Sequence, residues 1–215
     1  MLRDEYGQEV DLQIEKMSRE LCQEFIRPTD TVLELGARYG SVSIFIRNIL
    51  STNSLVAVEC DPNVQACLAN NMIANNASFH IINGTISSTP LYVVHHNCVW
   101  EQKTYKNIDR FLNQRAISTI ATYPLEYAEK LINGTFTVLV ADCEGYLVDF
   151  FNQYRDFIKS LDVIIYEEDC TKNRPINGDY VDYTEFETFL GENGFTLVKD
   201  VTDHIGLHNK VYSRR

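Results

Sequence analysis

Three short apolar runs, 31–35, 55–59 and 79–82, are separated by two helix-length stretches, 41–50 and 61–75. No other feature constrains the chain as much. Strands spaced by one helix each do not pair as hairpins; they form a parallel sheet with helices on its faces. Asp61 reads as the N-cap of the second stretch, with Pro62 at its first helical position. The pattern resumes later, with a helix at 124–132, a strand at 136–141, a helix at 147–160, a strand at 163–167 and a helix at 184–193. Segments 195–201 and 210–213 then fit a closing antiparallel pair. An amphipathic helix at 11–26, stopped by Pro28, carries Leu12, Met17, Leu21 and Phe25 on one face. Regularity breaks between 85 and 122, where 91–94 and 117–121 read as strands around a polar stretch holding Trp100, Tyr105 and Phe111. We expect an insertion there, beside the mouth of a ligand site. The chain is thus expected to form one α/β domain over 1–215, with a seven-stranded, mostly parallel sheet, helices on both faces and an antiparallel closing strand.

Composition narrows the function. With 19 Lys+Arg against 30 Asp+Glu the net charge is -11, which disfavours a partner carrying a phosphate backbone. No run of 18 apolar residues occurs and the first residues are polar, so neither a membrane span nor a signal peptide is expected, and the expected location is the cytoplasm. Six scattered cysteines without a C-x-x-C pair read as free thiols of a reducing compartment.

The first strand and turn read V-L-E-L-G-A-R-Y-G, 32–40, and the second strand ends in Glu59. A carboxylate at that point can accept hydrogen bonds from both hydroxyls of a ribose. An NAD site needs a glycine where Arg38 stands, so an NAD-dependent oxidoreductase is the weakest reading. What remains, E-x-G-x-x-x-G, resembles motif I of the class I S-adenosylmethionine-dependent methyltransferases, whose fold is Rossmann-like. The resemblance implies that Glu34, Gly36, Ala37 and Gly40 flank the methionine part of S-adenosylmethionine and that Glu59, with Cys60 beside it, grips the ribose. Gly84 and Thr85, after the third strand, would border the adenine, and Asp142 would complete the cofactor contacts.

The fourth strand ends Asp142-Cys143-Glu144-Gly145-Tyr146 and the fifth ends Tyr166-Glu167-Glu168-Asp169. Carboxylates crowded ~6 Å apart repel by roughly 3 kcal/mol at an effective dielectric of 20. Either some stay protonated or a hard cation, Mg²⁺ or Mn²⁺, neutralises them. The order E-L-G-A, V-E-C-D-P-N, D-C-E-G-Y is similar to that of the FkbM-type methyltransferases, a family associated with O-methylation, often of sugars. The likeness covers 31–169. Two departures stand out: Arg38 replaces a usual asparagine, and Val-Ala-Asp at 140–142 replaces Lys-Ile-Asp.

The resemblance implies transfer of methyl from S-adenosylmethionine to a hydroxyl of a sugar or glycan. Glu144 is the preferred base, because two residues past Asp142 it shares a face with it if the strand persists. His204 is the rival base. Asp142, Glu168 and Asp169 would hold the metal. The N-P-P-Y device of nucleic-acid amino-methyltransferases is absent, so DNA and RNA are not expected as acceptors. Two other readings stay open: a catechol-like small-molecule O-methyltransferase and a non-catalytic cofactor-binding subunit.

Overall fold

The computed structural model describes residues 1–11, 13, 15–95, 103–112, 116–203 and 206–215. The elements run α1 (Lys16–Phe25), β1 (Val32–Leu35), α2 (Ser41–Ile49), β2 (Leu55–Glu59), α3 (Gln65–Ala74), β3 (His80–Asn83), β4 (Thr85–Ile86), β5 (Tyr92–Val94) and β6 (Lys103–Tyr105). After a 3-10 turn at Asp109–Phe111 come β7 (Ile117–Thr119), β8 (Thr122–Tyr123), α4 (Leu125–Ile132), β9 (Val138–Ala141), α5 (Tyr146–Gln153), α6 (Arg155–Ser160), β10 (Val163–Glu168), α7 (Thr184–Glu192), β11 (Thr196–Thr202) and β12 (His208–Ser213).

Seven strands form one sheet in the order β11-β12-β10-β9-β1-β2-β3. β12 runs antiparallel to both of its neighbours, and the other pairings are parallel. The order turns between β1 and β9, and in such sheets ligands bind outside the strand carboxyl ends at that point. Alternate side chains of each strand enter opposite cores. Leu33, Leu139, Ile164 and Tyr166 pack with Ala128, Phe150, Ile158 and Phe186 from α4, α5, α6 and α7. Val32, Val140 and Ile165 pack with Leu21, Ile46 and Leu68 from α1, α2 and α3. The second set shares its strand faces with Glu34, Asp142 and Glu167, so these three acids lie on the side that α1 covers.

Local chemistry explains where the elements depart from the sequence expectation. α1 begins at Lys16 rather than residue 11, and Leu12 lies outside the described residues. Asp61 does not cap a helix. Its Oδ1 accepts the Asn63 N–H at 3.0 Å and its carbonyl accepts that of Val64 at 3.2 Å, closing a turn that delays α3 to Gln65. The helix expected over 147–160 is two helices, because Tyr154 (φ -129°, ψ 44°) leaves the helical region. That break lets Phe150 and Phe157 meet edge to face at 5.8 Å. Between 85 and 122 the chain adds a three-stranded antiparallel sheet (β6-β5-β7) and a two-stranded parallel one (β4-β8), both outside the main sheet.

Arg215 ties the end of β12 to the loop before β1. Its two terminal nitrogens donate to the two oxygens of Asp30 at 2.7 and 2.6 Å, and Asp30 is only 3% exposed. Arg215→Ala leaves that carboxylate buried without its ion partner and is expected to cost about 3 kcal/mol, read by urea unfolding. Among the described residues no helix is long and apolar enough to cross a membrane.

Candidate functional site

The turn after β1 is built from the backbone. Gly36 and Ala37 both donate their N–H to the Val58 carbonyl at 3.0 Å, which anchors the turn to β2. Gly40 closes it, donating to Ala37 O at 2.7 Å, and starts α2 from a left-handed conformation (φ +83°). Glu59, 5% exposed, receives the Arg38 N–H on Oε2 at 2.7 Å and the Asp61 N–H on Oε1 at 2.6 Å. Each oxygen keeps a further lone pair. Burial pushes the Glu59 carboxyl upward, opposed by those N–H bonds and the Arg38 charge.

A cleft of about 320 Å³ opens at the carboxyl ends of the strands, within the size range of ligand sites. Gly36, Glu59, Cys60, Gly84, Thr85, Asp142 and Glu144 all border it. Glu34 and Ala37 do not. They line a recess of about 10 Å³ that adjoins it. Gly40 borders neither; it shapes the turn, and a Cβ there would meet Leu68 of α3.

The carboxylate cluster needs one correction. Parallel pairing sets Tyr166 beside Ala141, which brings Glu167 abreast of Asp142. Glu167 and Asp169 then share a face, while Glu168 points the other way and pairs with Lys210 at 2.9 Å. The close trio is therefore Asp142, Glu167 and Asp169, each offering an oxygen within 4.8 Å of the others. Burial pushes all three up: Asp142 to about 7, with Asp169 adding repulsion; Asp169 to about 6; and Glu167 to about 10.

Glu144 lines the cleft, but the strand ends at Ala141, so the face-sharing argument for it fails. Glu144 sits at φ +55° in the turn. Its N–H donates to Asp169 Oδ2 at 2.8 Å and its carbonyl accepts Lys103 Nζ at 3.2 Å. The insertion thus reaches the site through β6. His204 and Trp100 lie outside the described residues. His95 contacts Ser118 Oγ at 2.8 Å and His208 contacts Asp200 at 2.8 Å; neither borders the cleft. Tyr146 does border it, with its hydroxyl donated to Ile86 O at 2.7 Å.

Four wall residues carry no signal in the sequence. Glu15, Arg174, Asp203 and Leu207 come from loops and helix leads whose docking depends on tertiary packing. Glu167 was readable in principle, since its parity with Asp169 is a strand property.

No family model matches this chain, and no curated protein matches it. Solved structures do. An O-methyltransferase from Bacillus cereus in complex with SAH aligns with a TM-score of 0.54 at 14% identity, over 95% of this chain and 81% of that one. The ribosomal protein L11 methylase of Lactobacillus delbrueckii subsp. bulgaricus gives 0.55 at 12% identity, over 96% and 81%. Precorrin-6y C5,15-methyltransferase of Geobacter metallireducens gives 0.55 at 12% identity, over 96% and 90%. Their names point to different acceptors, so the likeness speaks to architecture alone. This chain has the Rossmann-like fold of the class I S-adenosylmethionine-dependent methyltransferases.

Proposed function

We propose that the chain transfers a methyl group from S-adenosylmethionine to a hydroxyl oxygen of a sugar, glycan or other small hydroxylated acceptor. The charge of the cleft wall carries the reading. Its described residues include eight carboxyl groups, from Glu15, Glu59, Asp61, Asp142, Glu144, Glu167, Asp169 and Asp203, against the guanidinium groups of Arg38 and Arg174. Such a wall suits a ligand with positive charge at both a sulfonium and an ammonium. When bound, the cofactor supplies a methyl already activated on sulfur. Glu59 offers its remaining lone pairs to the ribose hydroxyls, and Gly84 and Thr85 border the adenine.

Glu144 is the base in this proposal and takes the acceptor's hydroxyl proton onto its carboxylate. Asp169 and Lys103 fix its backbone on either side, so the carboxylate is positioned before the acceptor arrives. The trio Asp142, Glu167 and Asp169 would seat a divalent cation, Mg²⁺ or Mn²⁺, and all-oxygen donors match such ions. The FkbM-like D-C-E-G-Y run supports a sugar acceptor. The net charge of -11 works against a nucleic acid.

Calorimetry with S-adenosylhomocysteine, with and without Mn²⁺, followed by methyl transfer to a panel of glycans and catechols, tests the proposal. Glu144→Gln is expected to leave S-adenosylhomocysteine affinity unchanged and to lower turnover by about 10²-fold. Unchanged turnover removes Glu144 from the mechanism. Full activity after exhaustive chelation removes the cation.

A further inference from the structure

Residues 2–10 form a hairpin ahead of α1, with Arg3 bridged to Glu9 and the Val10 N–H donated to Leu2 O at 3.0 Å. Leu2 and Val10 are buried, and they pack with Tyr39 and Val64 in a cluster that shares no buried residue with the two cores of the sheet. The hairpin thus buries its apolar area against the turn after β1. Asn71 of α3, 4% exposed, fastens the two together. Its Oδ1 accepts the Arg3 N–H, and its Nδ2 donates to the carbonyls of Arg3 and Tyr39, all at 2.9 Å.

From there a chain of polar contacts runs to the cleft. Tyr39, only 2% exposed, donates its hydroxyl to Glu5 Oε2 at 2.5 Å and accepts a bond from Arg38 Nη2 at 3.3 Å. The Arg38 guanidinium carbon lies 4.8 Å from the centre of the same ring. Arg38, at φ +43°, gives its own N–H to Glu59 Oε2 at 2.7 Å. Arg38 and Glu59 border the cleft, whereas Glu5 and Tyr39 stand behind it. A hydroxyl that donates to a carboxylate becomes a better acceptor, so Glu5 strengthens the hold of Tyr39 on Arg38. Fixing a long arginine side chain costs rotamer freedom, and the Tyr39 ring and hydroxyl offset that cost before any ligand arrives. The Arg38 charge in turn opposes the upward push of burial on Glu59. Ionised, Glu59 presents only acceptors to a pair of hydroxyls; protonated, it gives up part of that capacity.

We infer that Tyr39 is a positioning residue for ribose recognition: held by the N-terminal hairpin through Glu5, it fixes the Arg38 guanidinium and, through it, the charge and orientation of Glu59. This rests on the S-adenosylmethionine reading above. The hairpin then serves the cofactor site from behind the turn, outside the cleft wall.

S-adenosylhomocysteine and its 2′,3′-dideoxy analogue isolate the ribose hydroxyls, because they differ in nothing else. Wild type is expected to prefer S-adenosylhomocysteine by about 10²-fold, since the analogue forgoes two hydrogen bonds to a carboxylate. Tyr39→Phe keeps the ring and removes the hydroxyl. It is expected to weaken S-adenosylhomocysteine by about tenfold and to leave the analogue unchanged. An equal loss for both ligands overturns the proposal, because Tyr39 then only supports the turn. Unchanged affinity for both overturns it as well. Glu5→Gln leaves Tyr39 in place and should narrow the preference by about threefold. An unaltered preference in that variant overturns the role of the hairpin, and this comparison decides even where Tyr39→Phe does not fold. If wild type binds S-adenosylhomocysteine no better than the analogue, Glu59 does not grip the ribose, and the proposal falls while the cofactor reading stands. If wild type binds neither ligand, the cofactor reading falls and takes the proposal with it.

Discussion

Gly36→Ala is expected to destabilise the chain by about 3–5 kcal/mol, enough to remove much of the stability of an ordinary domain. Two costs add. A Cβ at this position would stand 1.6 Å from the Asp142 carbonyl oxygen and 2.7 Å from its carbon, both backbone atoms that cannot swing aside. Gly36 also holds φ at +90°, a conformation that costs an L-residue about 1–2 kcal/mol. Relief requires β1 and β9 to separate at the floor of the cleft, where the Asp142 N–H now donates to Leu35 O at 3.0 Å. Gly40→Ala is the control. Its Cβ would meet the flexible tip of Leu68 at 2.8 Å, so strain at φ +83° dominates and about 1–2 kcal/mol is expected. Urea unfolding of both variants decides. A Gly36→Ala midpoint within error of wild type would show that the strands part without cost.

This pair also shows what the sequence makes legible. Both glycines mark a strand-to-helix turn on spacing alone, but only the fold distinguishes them. Gly36 is needed because a neighbouring strand's backbone passes against it, a contact between residues 36 and 142 that no local pattern encodes. The alternation of strands and helices was readable because each period is local, and the bounds of β2 coincide with the apolar run 55–59. Broken segments were less so. The kink at Tyr154 and the Asx turn at Asp61 depend on packing and on a competing side-chain hydrogen bond. In the site, Glu59 and the Asp142–Tyr146 run announced themselves by position at strand ends. Glu15 could not, since an amphipathic helix shows which face it buries and not which strand ends the residue before it will meet.

Ligand-free protein is expected to lose stability as pH rises from about 5 to about 8.5, against the usual trend for carboxylates held by ion pairs. Burial pushes the carboxyls of Glu15 and Glu34 from 4.5 up to about 8, with the charge of Asp142 reinforcing both. Between those values the native chain binds protons that the unfolded chain has released. Stability therefore falls with pH, by at most about 1.4 kcal/mol per pH unit for each group. The contribution is fully present below the unfolded value and is lost as pH passes through the folded one. Asp142, raised to about 7, and Asp169, raised to about 6, act in the same direction. Any one of them should cost on the order of a few kcal/mol across its window. Glu34→Gln removes one of these groups without changing its shape. It should raise the melting temperature at pH 8.5, leave it nearly unchanged at pH 5, and flatten the profile between them. A ligand-free wild type that grows more stable toward pH 8.5, with Glu34→Gln following it in parallel, would mean that these carboxylates ionise freely in the folded chain.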